Sequence, residues 1–592
     1  MKYDFTSVPD RSKCGSMKWD SAPEASTEYV PLSTADMEFP TAPPIVEAIK
    51  SCAEKQILGY SQPTEEYYDA VISWQKRRHG FDIKKEWILT TPGVVDALAV
   101  IIDAVTKPAE SVIILTPAYY PFDLAVTAKS RKIVYSELID HNGHYEINFN
   151  DLRAKAARKE VTALLFCNPH NPTGRVWTRE ELKRVADICC DNGVFIIDDE
   201  IHNDIIMPGF EHTVMATVSK RVLNNIAVCT APSKTFNLAG LQCSNIIIPN
   251  DLARTRTMAC SLINMTMQLN VFAYPACIAA YTKCDEWLEE MIAVVQSNAD
   301  LVKSFMAEHF PAVRVIELEG TYLLWLDVRG LGLTHVEMRQ MLVKNHLYLD
   351  NGEMFGRAGR GYQRINLACA RVTLEKALNR FKDGMDAVYA EWEKNGRPYH
   401  KTLKVGDRLE GFVYDLPNGS STELRPGRST LIIFSRYYGC QICMATLQFV
   451  KGIYPLLKAA GCDVKFVMQS DMRTLAPARG KYPFELIADP LCKLYDRYNV
   501  FEADSPFGMI LGDKIISKII GKDVKRILHS GAFEGLAQSL LGDSDDTDGG
   551  PRALQLPAFI TVDKNLKVTY AHYSKTMADL PNIKEILRGI KA

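Results

Sequence analysis

The stretch Ala231-Pro-Ser-Lys234-Thr-Phe-Asn-Leu-Ala-Gly240 places a lysine just behind an apolar run. A lysine amine attacks an aldehyde usefully only when its charge is suppressed, by burial or by a neighbouring cation. A lysine standing alone is more often a surface residue, so its neighbours must carry the argument. Asn168-Pro-His-Asn171-Pro-Thr-Gly174 follows VTALLFC, and Asp198-Asp199-Glu200-Ile-His202 follows VFII. A carboxylate at a strand end can hold a proton on a heteroaromatic nitrogen, and His202 can reach the same ring. The plainer alternatives are a helix cap at Asp199 and a satisfied polar residue at His202. Thr91-Pro-Gly93-Val94-Val95 is a glycine turn opening an apolar helix. The first amides of such a helix accept a phosphate, although a simple capped turn has the same sequence. Further on, Gly439-Cys440-Gln-Ile-Cys443 follows an apolar run and opens another helical pattern. A thiol there has a lowered pKa, and Cys443, one turn along, could resolve a disulfide. Two buried structural cysteines are the alternative. Cys462 and Cys492 are single and badly spaced, so no metal site is expected.

These loops need strands to position them. Ser111–Leu115, Val161–Cys167, Val194–Ile197 and Asn225–Cys229 are short apolar runs, each followed by a polar or Pro-rich loop and then helical periodicity. That alternation predicts an α/β fold, a mainly parallel sheet with helices on both faces. Ligands of such sheets bind beyond the carboxyl ends of the strands. A long helix is expected to end near Trp392, and 394–406, with Gly, Pro and several charges, reads as an interdomain linker. The pattern then restarts with a strand at Ser429–Phe434, a helix at Cys443–Ala460 and a strand at Val464–Met468. Ala558–Val562 and Lys567–Ala571 read as antiparallel strands, and 542–552 as a loop.

The 592 residues carry 69 Lys+Arg against 71 Asp+Glu, a formal charge of −2. A near-neutral balance speaks against broad nucleic-acid binding, which needs excess positive charge to displace counterions. Hydrophobic residues at 47% and charged residues at 24% are ordinary globular composition. The most apolar stretch, Val94–Val105, is interrupted by Asp96 and Asp103, so no membrane span is expected. The polar start and the scattered 15 cysteines lead to the expectation of a cytoplasmic protein with reduced thiols.

Taken together, the order TPG, PAYY, NPHNPTG, DDEIH, SKTFNLAG and QRIN over about residues 1–395 resembles pyridoxal-phosphate enzymes of the aminotransferase fold (fold type I). More narrowly, Gly15-Ser-Met-Lys-Trp19-Asp20, Ala35-Asp36-Met37-Glu38-Phe39-Pro40, Gly59-Tyr60 and Asp199-Glu200-Ile201-His202 resemble the MalY/PatB-type cystathionine β-lyase (C–S lyase) branch. The resemblance implies pyridoxal 5'-phosphate as cofactor. It implies that Lys234 carries the cofactor's aldehyde and later moves the Cα proton, and that Asp199 pairs with the ring nitrogen. By the same resemblance Asn171, with His202 nearby, addresses the ring oxygen, and Tyr119 stacks on the ring. Gly93, Val94, Thr230 and Ser233 would hold the phosphate, and Tyr60 would reach the phosphate of a neighbouring subunit, which implies a homodimer with shared active sites. Arg364 would pair with the carboxylate of a small-molecule amino-acid substrate, with Asp36 also on the substrate side. One departure is Gln242, eight residues after the lysine, where many relatives of the wider fold place an arginine on the phosphate.

Residues 403–592 resemble thioredoxin-fold redoxins of the AhpC/TSA peroxiredoxin-like type, through Lys404-Val-Gly-Asp407, Ala488-Asp489-Pro490 and Leu556-Pro557-Ala558-Phe559. Pro557 would be the cis-proline facing the thiol. Ile433 and Tyr437 stand where peroxiredoxins carry Pro and Thr or Ser, so disulfide exchange is as open as peroxide reduction. The expected organisation is a lyase unit over 1–395, with a large part over about 46–285 and a small part over about 1–45 and 286–395. A linker at 396–402 and a redoxin unit at 403–592, served by an unidentified thiol reductant, would follow. The expected activity is β-elimination of cysteine S-conjugates, with the second unit acting on the liberated thiol. The alternatives are an amino-acid aminotransferase and a non-catalytic regulator that binds a transcription factor.

Overall fold

The computed structural model describes residues 1–20, 29–395, 403–409, 411–416, 421–435, 438, 441–470, 472–478, 480–489, 493–498, 500, 557–574, 581 and 583–591. Cys440, the 396–402 linker, the 542–552 loop, Pro490 and Leu556 lie outside the described residues. The chain divides into two compact units, Met1–Tyr389 and Ala390–Ala592.

The first unit is built on a seven-stranded sheet. Its strands in chain order are β1 (Ile88–Thr91), β2 (Ser111–Thr116), β3 (Lys132–Glu137), β4 (Val161–Cys167), β5 (Phe195–Asp199), β6 (Ile226–Thr230) and β7 (Ser244–Ile247). Across the sheet they run β1-β7-β6-β5-β4-β2-β3, and only β7 is antiparallel to its neighbours. The parity of the strands explains why both faces are covered. Ile113, Leu115, Leu164, Phe166 and Ile196 enter one core, while Val112, Ile114, Ala163, Leu165 and Ile197 enter the other. A strand apolar on both faces can only be buried on both. The apolar helix α1 (Val94–Val105) covers the second face. On the first face lies α2 (Arg179–Asn192), which opens with a Thr178/Glu181 capping box and closes on left-handed Gly193.

A second, all-antiparallel sheet holds β8 (Arg314–Val315), β9 (Leu323–Asp327), β10 (Asp350–Asn351) and β11 (Tyr362–Asn366), in the order β8-β9-β11-β10. It is flanked in sequence by two 25-residue helices, α3 (Asp285–His309) and α4 (Arg371–Asn395). Val30–Pro31 pairs in parallel with Leu347–Tyr348, which ties the amino-terminal segment to this part of the unit.

In the second unit the strands are β12 (Val413–Asp415), β13 (Ser421–Glu423), β14 (Ser429–Phe434), β15 (Cys462–Met468), β16 (Glu485–Ala488), β17 (Ala558–Val562) and β18 (Val568–Tyr573). Their order is β13-β12-β16-β15-β14-β17-β18. β14, β15 and β16 are mutually parallel, whereas β17 and β18 are antiparallel additions beyond β14. Helix α5 (Gln441–Ala459) follows β14 and begins two residues earlier than its periodicity suggests.

Candidate active site

The ladder registers bring the expected loops together. Cys167 lies opposite Asp199, and Asp199 opposite Cys229, so the carboxyl ends of β4, β5 and β6 are level. β7 starts at the same end, with Ser244 across from Thr91 and Asn245 across from Thr230. Four segments thus converge from Thr91, Asn168, Asp199 and Thr230. One expectation is corrected here: Asp198 and Asp199 belong to β5 itself and not to the loop after it. The strand continues because it is central, with partners on both sides up to Asp199. Alternation then sends the two carboxylates to opposite faces.

Asp199 is buried, and its Oδ1 accepts from the Ile201 amide at 3.2 Å. Burial pushes its pKa up to about 7, against the pull of that amide and of the Lys234 charge. Asp198, on the other face, lies beside Glu200, and burial together with that second carboxyl holds it protonated well above the usual range. Lys234 sits in a single helical turn, Pro232–Thr235, immediately after β6. Its Nζ donates to the Ala35 carbonyl at 2.7 Å. Burial lowers its pKa to about 8, opposed by Asp36 and Asp199 and assisted by Arg364. This is the suppressed charge that the chemistry of an aldehyde-binding lysine requires.

Arg364, Asp36 and His202 lie within electrostatic range of this amine, and Tyr119 within that of Asp199 and Arg364. Arg364, in β11, is buried and donates from Nη1 to Asn171 Oδ1 at 2.8 Å. Its Nε and Nη2 both reach Asp350 Oδ2, and the guanidinium lies over the Phe355 ring. His202 packs edge-on against Tyr322 and is held neutral by burial and by the charges of Lys234 and Arg364. Burial raises the Tyr119 hydroxyl to about 12, with Arg364, Asp199 and Asp350 in electrostatic range. Gly93 caps α1, of which Val94 is the first residue, without any side chain to satisfy the first amides. Thr230 closes β6, and Ser233 shares the turn of Lys234. Asp36 is engaged by Arg11 at 2.9 Å. Tyr60 does not join the group: it is 98% exposed. Gln242 is exposed and in the left-handed region at φ 48°. Cys443 belongs to the second unit, where it is fully buried.

Sequence reasoning missed Asp350, Tyr322, Arg11 and Asp204. Asp350 faces Arg364 directly across the β10–β11 ladder. Asp204 is buried and receives Trp74 Nε1 at 3.0 Å, His79 Nε2 at 2.7 Å and the Thr235 hydroxyl at 2.7 Å. It therefore anchors the residue next to Lys234. None of these carries a motif; strand register, the path of the amino-terminal segment and contacts distant in sequence make them neighbours.

The class I and II aminotransferase family model matches residues 27–381. The chain belongs to that family. Among curated relatives, the cystathionine β-lyase PatB of Bacillus subtilis is 38% identical over 382 residues, 64% of this chain and 99% of the relative. Protein MalY of Escherichia coli is 30% identical over 391 residues, 65% of this chain and all of the relative. Among solved structures, cystalysin from Treponema denticola, which contains pyridoxal 5'-phosphate, aligns with a TM-score of 0.64 and 41% identity. That alignment covers 66% of this chain and 100% of cystalysin.

The cofactor of this chain is accordingly pyridoxal 5'-phosphate. The residues present fit it. The hydroxyl of Thr230 and Nδ1 of His202 are buried without a hydrogen-bond partner in the protein. Buried polar atoms of this kind call for a partner from outside the chain. The uncapped first turn of α1 can receive a dianion, Asp199 a ring cation, and Lys234 an aldehyde. Among the described residues there is no cluster that could hold a metal ion, and no helix is long and apolar enough to cross a membrane.

Proposed function

We propose that residues 1–395 catalyse β-elimination of L-cystathionine and related cysteine S-conjugates, releasing the thiol, pyruvate and ammonia. The observation that carries this is the buried Lys234 amine, held on the Ala35 carbonyl, lowered to about 8 and within electrostatic range of Asp199 and Arg364. The cystathionine β-lyase relatives, aligned over almost their whole length, support the choice of substrate.

Pyridoxal 5'-phosphate, when bound, supplies an aldehyde for the substrate amine and a ring that accepts the electron pair left at Cα. The residues do the rest. Arg364, held by Asp350 and Asn171, takes the substrate carboxylate and fixes which bond at Cα faces the lysine. Lys234 Nζ, whose pKa of about 8 leaves part of it unprotonated near neutral pH, would take the Cα proton of the bound amino acid. Asp199 would face the ring nitrogen and hold a proton there, a partner that a carboxylate raised to about 7 by burial can accept. His202, neutral, can donate or accept at the ring oxygen but adds no charge. Gly93, Val94, Thr230 and Ser233 would hold the phosphate, and Tyr119 would cover the ring. The C–S electron pair leaves with the thiolate; water then converts the three-carbon enamine to pyruvate and ammonia. Exposed Tyr60, with Ile57 at 80% and Leu58 at 60% exposure beside it, is a segment suited to a second subunit's site, so the active form is proposed to be a homodimer.

Purified protein incubated with L-cystathionine and no keto acid should give pyruvate and homocysteine in equal amounts. An aminotransferase would give no pyruvate under these conditions, and that result would reject the proposal.

For the second unit we infer a thioredoxin-type redoxin. The supporting features are three parallel strands extended by an antiparallel pair beyond β14, and a long helix entered from β14 with Cys443 in its first turn. Replacing Cys440 with serine should abolish thiol-dependent reduction of insulin disulfides by the intact protein; unchanged reduction would discard this reading.

A further inference from the structure

The segment from Thr34 to Phe39 is fastened to the site from several sides. Lys234 Nζ reaches the Ala35 carbonyl at 2.7 Å. The Asn237 side chain accepts from the Met37 amide at 3.0 Å and donates to the Met37 carbonyl at 3.1 Å. Asn366, two residues beyond Arg364, donates to the Thr34 and Asp36 carbonyls at 2.7 and 2.8 Å. The Thr34 amide reaches Asp350 Oδ2 at 3.0 Å, and Thr34, β-branched, is forced to φ 52°. Such a backbone conformation persists only where the surroundings determine it. The Asp36 carboxylate is therefore placed firmly, one residue from the carbonyl that holds the lysine amine. Its charge acts on both Lys234 and Tyr322.

Four charges meet at this segment, in two layers. The inner pair, Lys18 and Glu38 at 2.9 Å, is closed, with side chains 0% and 8% exposed. The outer pair, Arg11 and Asp36 at 2.9 Å, remains open at 27% and 25%. Arg11 also donates to Glu38 Oε1 at 3.1 Å, and Trp19 Nε1 to Glu38 Oε2 at 3.0 Å, which fixes the inner pair beneath the outer one. Two cations and two carboxylates leave the cluster without net charge. A tail bearing a single charge would unbalance it, and an apolar tail would strip water from both outer charges without replacing it. A tail with both an ammonium and a carboxylate gives each outer group a partner and preserves the balance.

The geometry points to Arg11 and Asp36 as the subsite that reads the part of the substrate beyond the sulfur, and selects a zwitterionic amino-acid tail. The substrate class rests on the β-elimination reading; the subsite itself is measured by binding. On the holoenzyme, the change in the cofactor absorbance band on rapid mixing, before a first turnover, is titrated with L-cystathionine, whose tail is zwitterionic, and with S-ethyl-L-cysteine, whose tail is apolar. The wild-type protein should bind cystathionine more tightly. Arg11→Ala should shrink the ratio of the two dissociation constants about tenfold, and Arg11→Lys should restore part of it, since it keeps the charge. An unchanged ratio in Arg11→Ala, whether both affinities fall together or neither moves, would overturn the subsite and leave Arg11 as a fastener of the segment. Pyruvate release is followed in parallel: a shifted ratio without pyruvate sinks only the elimination reading, and pyruvate with an unshifted ratio sinks only the subsite. A wild-type holoenzyme that binds neither amino acid would overturn both.

Discussion

Lys234 joins function to stability through one proton. Its pKa is about 8 in the folded protein against an ordinary 10.5. Below pH 8 the amine is protonated in both states, and the folded state bears the full cost of a buried charge. Between 8 and 10.5 the unfolded chain binds more protons, so stability rises with pH; above that window the penalty is gone. The cofactor-free Lys234→Met protein should therefore be more stable than cofactor-free wild type at pH 7, by about 2–3 kcal/mol. Thermal melts at pH 7 and pH 10 check this, and an advantage that does not shrink at the higher pH contradicts it. Lys234→Ala should also lower pyruvate release by about 10³-fold or more. Asp350 tests the site by a different route. Its carboxylate holds two nitrogens of the Arg364 guanidinium. Asp350→Asn should loosen that group and raise KM for the amino acid by about 10-fold, the scale of one charge-assisted hydrogen bond, with a smaller change in kcat. A kcat loss at unchanged KM would refute this role.

Elements matter here chiefly by where they stop. β5 runs on through Asp199 because its neighbours still offer backbone partners there, and this continuation aims Asp199 at the site and Asp198 away from it. The turn after β6 is one helical turn long, too short to fix a lysine by itself. It is held from outside, by Asp204 on Thr235 and by Asn237 on the 34–39 segment. Asn237 sits at φ 58°, where asparagine is tolerated and alanine is strained. Asn237→Ala loses its bonds to Met37 and Phe39 and gains that strain. A destabilisation of about 2–4 kcal/mol and a lower kcat are expected together. A melt and a pyruvate assay on the same preparation check the coupling; a stability loss at full kcat would show that the segment does not position the lysine.

At the scale of the molecule, the division into Met1–Tyr389 and Ala390–Ala592 passes through α4, which continues to Asn395. A cut at 389 would remove the last turn and a half of that helix, so the boundary for an isolated unit belongs after 395. A chain ending at Asn395 is expected to fold, to show the absorbance of bound cofactor, and to release pyruvate at the intact protein's rate per site. Absorbance spectra and steady-state assays on both chains decide this. A truncated chain that folds but has lost the cofactor would mean that the second unit completes the site.

The strands, their mainly parallel arrangement and the placing of Lys234, Asp199, Asn171 and Gly93 at or just beyond strand ends could be read from the sequence, because each is a local pattern. An apolar run of strand length, a polar or glycine turn and helical periodicity all act within about fifteen residues. The same holds for β14, α5 and β15 in the second unit. What was not legible lies in partnerships across the fold. Asp350 meets Arg364 through strand register, Arg11 meets Asp36 through the path of the amino-terminal segment, and Asp204 gathers Thr235, 31 residues on, and Trp74, 130 residues earlier, onto one carboxylate. An isolated aspartate or arginine has no period and no spacing. Sequence alone determined which groups could perform the chemistry. Tertiary structure decided which of them are buried, which are paired and which charge is suppressed, because burial and pairing depend on every element that packs around a group.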